Sequence, residues 1–209
     1  MEAFRYLHDW LKYHPDYSNL SNVQDGQKLD FNEINNSFLA ALEQKPGDAQ
    51  VLLALGVLQF IERDYIKAAV FFEQAIREDP TNHSLWNKYG AALAQNLKTT
   101  ESVEAYQQAL DLRPNYVRTI VNLGLAHNNV ADFKSAANCL INALILNPHL
   151  THVRTYLQTA FIQMKRYDLV EKLKLNDLQL FKDEFMLIDP NNLQKPSLDK
   201  LYANAVFQK

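Results

Sequence analysis

The chain has 209 residues, 47% hydrophobic and 22% charged, with a formal net charge of −3. This is globular composition with room for one ordinary domain or one short repeat array, and its slightly acidic balance excludes nucleic-acid binding through a broad basic footprint, though not a local patch. No apolar run reaches the roughly 18 residues of a membrane span, and MEAFRYLHDW lacks a basic segment followed by an apolar one, so no signal peptide is expected. The single cysteine, Cys139, can close no internal disulfide and build no cysteine cluster, which fits a reducing compartment. Without a secretory signal, the sequons at Asn19, Asn35 and Asn82 read as chance matches.

In chain order, Ala3, Leu7 and Trp10 recur at helical spacing ahead of Pro15. Residues 18–30, with Gly26 and many polar side chains, read as a loop, and the pattern predicts a helix over roughly 31–44 before Pro46. The chain then turns periodic. Gly56, Gly90 and Gly124 recur every 34 residues, and Pro80, Pro114 and Pro148 keep step with them. Three consecutive units follow at 49–82, 83–116 and 117–150. Each carries a small residue at its twentieth position (Ala68, Ser102, Ala136) and at its twenty-seventh (Ala75, Ala109, Ala143). A large residue stands at the twenty-fourth (Phe72, Tyr106, Leu140). Residues 151–164 and 167–173 form a degenerate fourth unit, with Gln158 in the glycine's place and Val170 in the alanine's. A further amphipathic helix is expected over 176–187, a break over 189–196, and a short last helix or a tail over 197–207.

The pattern has a mechanical reason. Each unit is a hairpin of helix A and helix B. Small residues let the two backbones approach, large ones fill the gaps beside them, and the late proline ends helix B. This resembles the tetratricopeptide repeat. The expected fold is all-α, a tetratricopeptide-repeat superhelix of antiparallel helical hairpins. Its expected parts are an unpaired repeat helix and loop (1–30), an incomplete repeat (31–48), three repeats (49–150), a degenerate repeat with capping helices (151–187) and a tail (188–209). Ala3, Leu7, Trp10 and Pro15 fit helix-B positions, so the chain opens on a B helix without its A partner. Either it is part of a longer array or another element covers that helix.

Four stretches narrow the resemblance: HDWLKYHPDYSNL (8–20), DAQVLLALGVL (48–58) with DYIKAAVFFEQAI (64–76), SLWNKYGAALA (84–94) and PNYVRTIVNLGLAHNN (114–129). Together they are similar to the C-terminal, repeat-bearing half of the peroxisomal import receptors for type-1 targeting signals, over roughly residues 4–185. Those signals are C-terminal tripeptides of the Ser-Lys-Leu kind. The resemblance implies a non-enzymatic, peptide-binding receptor without cofactor or metal, cytoplasmic and cycling to the peroxisomal membrane. Its implied partners are cargo proteins bearing that tripeptide, and peroxisomal docking proteins reached through a region these residues do not include. In the family the cargo cavity is closed by two sets of repeats, and these residues do not include the first of them. By the resemblance, Asn87 contacts the cargo backbone, Asn122 and Asn129 hold the terminal carboxylate and adjacent backbone, and Arg118 adds positive charge. Lys88 and Ala91 shape the pocket for the terminal leucine.

Part of this follows from the residues themselves. Arg118, Asn122 and Asn129 are spaced by four and seven and share one face of a helix, and Asn87 and Ala91 are expected on the equivalent face of the preceding A helix. Amides and a guanidinium are donors suited to a carboxylate that leaves water. Three such bonds at about 1.5–3 kcal/mol each, with a buried leucine at about 1.5–3 kcal/mol, supply roughly 6–12 kcal/mol, which reaches the roughly 8 kcal/mol of micromolar binding only at the top of that range once association costs of about 4 kcal/mol or more are subtracted. Asparagine is a poor helix former, so Asn87 and Asn122 need a reason, and a hydrogen bond inside the scaffold is the other one available. Asn128 and Asn129 also suit a helix C-terminus, and Lys88 also suits a solvated surface. The first unit is expected to show Leu53, Val57, Phe60 and Ile61 as an apolar surface, and His152, Thr155 and Thr159 are further candidates in the fourth.

No catalytic constellation is present: there is no G-x-S-x-G elbow, P-loop or G-x-G-x-x-G. His149 and His152 form an H-x-x-H pair short of metal ligands, and Cys139 reads as a packing residue. Two rivals stand beside the receptor reading. One is a co-chaperone-type clamp for acidic tails, for which only Lys88 and Arg118 qualify as cations. The other is a scaffold assembling partners through the apolar surface of the first unit.

Overall fold

The computed structural model describes residues 2–20 and 30–190, and among them every regular element is helical. The chain divides into two compact units, Met1–Asn96 and Leu97–Lys209. In the first, α1 (Glu2–Tyr13), α2 (Phe31–Gln44), α3 (Ala49–Ile61), α4 (Tyr65–Glu78) and α5 (His83–Gln95) pack in sequence, each on the next. In the second, α6 (Thr99–Leu112), α7 (Val117–Asn129), α8 (Phe133–Leu146), α9 (Thr151–Gln163) and α10 (Tyr167–Lys174) do the same.

Local chemistry sets the helix ends. Asp30, Asp48, Asp64, Asn82 and Asp132 accept backbone N–H groups at the starts of α2, α3, α4, α5 and α8. The turns from helix A to helix B close without glycine. Arg63, Ala131 and Lys165 sit at φ 63, 60 and 59°. The following residue donates back to the carbonyl five before it: Asp64 to Gln59, Asp132 to His127 and Arg166 to Phe161. Each turn is a Schellman motif with a side-chain-bearing residue in the left-handed region.

Small residues permit the hairpins. Ala68, Ala75, Ala109, Ala136, Ala143 and Ser102 have no exposed surface. A Cβ on Gly56 would lie 2.5 Å from the Phe72 ring, and one on Gly124 would lie 3.1 Å from Leu140. Trp86 closes the turn before α5 by donating its indole N–H to the Pro80 carbonyl at 2.9 Å.

Two expectations need correcting. In α1 the buried residues are His8 and Leu11, whereas Ala3 is exposed and Leu7 and Trp10 are half-buried. The buried positions are thus displaced by one residue from the helix-B register, while Trp10 stays in contact with α2, stacking on Phe38 at 5.7 Å between centroids. Residues 176–187 form no α-helix. Asn176 adopts φ 58°, Asp177 caps a single 3-10 turn at Leu178–Phe181, and residues 186–189 run without regular structure. The loop expected over 18–30 is a 3-10 turn at Ser18–Leu20, with 21–29 outside the described residues. The break over 189–196 lies mostly, and the last helix or tail over 197–207 wholly, outside them as well.

Candidate peptide-binding surface

In the second unit, α7 divides into two sides. Thr119, Ile120, Val121, Leu123, Gly124, Ala126 and His127 are buried. The open side carries Arg118, Asn122, Leu125 and Asn129 at successive turns, with Arg118 and Asn129 exposed and Asn122 and Leu125 half-buried. The three residues read from the sequence therefore share one accessible stripe. Leu125 completes it. Its place, seven residues after Arg118, is visible in the sequence, but an apolar residue there does not stand out.

Behind the stripe, His127 is 1% exposed, and its Nδ1 lies 3.5 Å from Asp132 Oδ2, longer than a good hydrogen bond. Burial holds its pKa below the ordinary imidazole value, against the opposing pull of Asp132. The neighbouring Asn128 has a buried Oδ1 with no hydrogen-bond partner.

α9, which touches α7, presents His152, Tyr156, Thr159 and Gln163 on its exposed side. His152 meets the edge of Tyr156 at 6.1 Å between ring centroids. Thr159 donates its hydroxyl to the Thr155 carbonyl at 3.0 Å, so that proton is spent within the helix. His149 and His152 are both exposed, and among the described residues no group of three or more His, Cys, Asp or Glu could hold a metal. Burial pushes the Cys139 thiol pKa up, as for a packing residue.

In the first unit, α5 places its candidates differently. Lys88 and Ala91 are half-buried, and Lys88 Nζ donates to Ser84 Oγ at 3.0 Å. Asn87 is 4% exposed. Counted by the 34-residue period, Lys88 corresponds to Asn122, whereas Asn87 corresponds to Val121, which is buried too. On α3 the apolar surface is smaller than expected. Leu53, Val57 and Phe60 are half-buried against the core formed by Ala68, Phe72 and Ala92, and Ile61 is 39% exposed.

Paired helices, small residues at the close approaches and a proline-ended 34-residue period define a tetratricopeptide-repeat protein. A family profile described as "Tetratricopeptide repeat" matches residues 49–82 and 83–116. Solved structures share the fold at low identity. A MamA protein aligns with TM-score 0.68 and 15% identity, covering 88% of this chain and 94% of that one. The TPR domain of Arabidopsis OM64 aligns with TM-score 0.52 and 19% identity, covering 54% and 93%.

Curated relatives are more specific. The peroxisomal targeting signal receptor of Saccharomyces cerevisiae is 33% identical over 88% of this chain and 35% of its own length. That of Kluyveromyces lactis is 30% identical over 88% and 36%. The peroxisomal targeting signal 1 receptor of Dictyostelium discoideum is 34% identical over 87% and 30%. The chain is homologous to the peroxisomal targeting signal receptors over most of its length, through a tetratricopeptide-repeat portion of theirs. It spans about a third of the length of these relatives. Their names are those of receptors, in keeping with a non-catalytic chain. No described helix is long and apolar enough to cross a membrane.

Proposed function

We propose that this chain reads type-1 peroxisomal targeting signals, the C-terminal Ser-Lys-Leu-type tripeptides of cargo proteins, for matrix import. The observation that carries the reading is the open stripe of α7, where Arg118, Asn122 and Asn129 stand on one accessible side of one helix. Homology to receptors named for targeting signals supports it. In this reading, Asn122 and Asn129 donate amide N–H groups to the terminal carboxylate and adjacent backbone, and the Arg118 guanidinium supplies charge. Leu125 offers apolar contact between them. On α5, Asn87, Lys88 and Ala91 are proposed contacts too, each to be tested by itself. Lys88 and Ala91 have accessible surface, while Asn87 offers a ligand little. Cytoplasmic residence, cycling to the peroxisomal membrane and docking there belong to the same proposal.

The test compares a fluorescent peptide ending in Ser-Lys-Leu with its C-terminally amidated twin. The free acid is expected to bind at least tenfold more tightly, because only it brings a carboxylate to the stripe. Equal affinities for acid and amide would overturn the reading.

A further inference from the structure

Residues 186–189 of the second unit belong to no helix or strand. Their backbone is taken by two side chains of α8 instead. Asn138 Oδ1 accepts the Met186 N–H at 3.0 Å. Asn142 donates Nδ2 to the Met186 carbonyl at 3.0 Å and accepts the Ile188 N–H on Oδ1, also at 3.0 Å. In an extended segment the N–H and C=O of one residue and the N–H of the second residue on point to the same edge. The two amides, one helical turn apart, therefore meet that edge as a neighbouring strand's peptide groups would. Apolar contacts flank the amides: Phe185 and Ile188 are each 6% exposed, with Phe185 at 5.9 Å from Phe161 and 6.3 Å from Phe181 between centroids. At the upstream end, Glu184 pairs with Arg166 and Lys172.

The corresponding positions of the other B helices lack this arrangement. By the 34-residue period, Asn138 and Asn142 match Val70 and Gln74 on α4, and Glu104 and Gln108 on α6, all four of them exposed. Asn142, by contrast, has no exposed surface. Among the described residues, the asparagine pair occurs in the one of these three repeats that carries a strap.

We infer that the Asn138–Asn142 face of α8 is a second peptide-binding site, occupied in cis by residues 185–188 and open to another extended segment of the same chemistry once that strap lets go. The ligand it takes has an aromatic residue, a backbone free to pair along one edge, and a branched aliphatic residue three positions later. It needs no free C-terminus, which separates it from the carboxylate-reading stripe of α7. Between its two buried anchors, Phe185 and Ile188, the strap is open: Met186 is 47% exposed, and its polar hold is the two amides and ion pairs whose cations are 38–39% exposed.

The test uses the full chain and a labelled peptide of sequence DEFMLID, acetylated and amidated so that it carries no terminal carboxylate. Met186→Pro removes the N–H that Asn138 accepts while sparing the buried Phe185 and Ile188. In this variant the Ile188 amide is expected to lose at least tenfold of its hydrogen-exchange protection. The peptide is expected to bind it at least tenfold more tightly than the parent chain, and adding Asn142→Ala is expected to abolish that gain. Retained Ile188 protection would show that packing, not the amide pair, holds the strap, and would overturn the inference. Exposed Ile188 without peptide binding, or binding indifferent to Asn142→Ala, would overturn it as well. An advantage of free acid over amide at α7 is untouched by either result.

Discussion

The Tyr17 hydroxyl donates to Asp48 Oδ2 at 2.8 Å, while Oδ1 of the same carboxylate accepts the Gln50 and Val51 amides at 3.0 and 3.3 Å. One aspartate thus caps α3 and anchors the turn that follows α1. Tyr17 is 1% exposed, and burial, then Asp48, push its pKa up to about 12. For Asp48, burial raises the pKa, but the Tyr17 hydroxyl, the two amides and Lys45 together outweigh it, and the net shift is downward. A depressed carboxylate pKa contributes stability that is present above the unfolded value, roughly 4, and lost as pH falls toward the folded one. Tyr17→Phe removes a hydrogen bond to a charged group and is expected to cost about 1.5–3 kcal/mol at pH 7. It should also shrink the loss of stability below pH 4. Urea melts of both chains at pH 7 and pH 3 measure the two effects, and a variant as acid-sensitive as the parent would contradict this role for Asp48.

Gly56→Ala tests the close approach of α3 and α4. The new methyl would meet the Phe72 ring at 2.5 Å, and Phe72 is 1% exposed with nowhere to move. Overpacking of this kind costs about 1–3 kcal/mol. Gly124→Ala meets Leu140 at 3.1 Å, a flexible side chain, and is expected to cost less. Phe72→Leu placed on Gly56→Ala should recover part of the loss, and a double-mutant cycle by thermal melts reads that coupling.

The repeats were legible because glycine and alanine mark the close approaches of their helices, and proline the end of helix B, at a fixed period. The glycine-free turns were not: Arg63, Ala131 and Lys165 carry no left-handed signal, and only the return hydrogen bonds reveal the motif. Residues 176–187 misled for a physical reason. Phe181, Phe185 and Ile188 are buried at the four- and three-residue steps of a helix face, yet the backbone reaches them by a 3-10 turn and an extended strap. On the candidate surface, spacing was enough to place Arg118, Asn122 and Asn129 on one side of α7. It was not enough for Asn87, since a step of one residue turns a helix by about 100°. Its periodic counterpart, the buried Val121, was the available warning.

The left-handed turns give a stabilising prediction. Arg63 sits at φ 63° with its N–H bonded to the Phe60 carbonyl at 3.2 Å, and its side chain is exposed. Arg63→Gly relieves the Cβ strain without removing a buried contact and is expected to stabilise the fold by up to about 1 kcal/mol. A lower urea midpoint in the variant would show that the arginine side chain contributes more than the turn costs it.

His127 makes the second unit acid-sensitive in a different window. Burial keeps its imidazole neutral, with Asp132 only partly opposing that effect. Because the folded pKa lies below the unfolded one, the stability it contributes is complete above roughly pH 6.5 and falls as pH drops toward the folded value. His127→Gln removes the titrating group, so its urea midpoint should change less than the parent's between pH 7 and pH 5, above the range in which Asp48 titrates. Parallel losses in the two chains would place the acid sensitivity elsewhere.

Arg118 and Asn122 should separate by salt if the carboxylate-reading proposal holds. Asn122 is half-buried and would donate directly, so Asn122→Ala is expected to weaken the Ser-Lys-Leu peptide by about 1.5–3 kcal/mol, roughly 10- to 150-fold, with little dependence on ionic strength. Arg118 is exposed at the start of α7, where its charge opposes the helix dipole and, in that proposal, would act through solvent. Arg118→Ala is expected to weaken binding only several-fold, and that loss should fade at 1 M salt, where the screening length is about 3 Å. Arg118→Lys keeps the charge and should retain most of the affinity at low salt. Fluorescence anisotropy at two salt concentrations distinguishes the roles: a salt-independent, hundredfold loss in Arg118→Ala would make the guanidinium a direct, bidentate ligand of the carboxylate rather than a source of field.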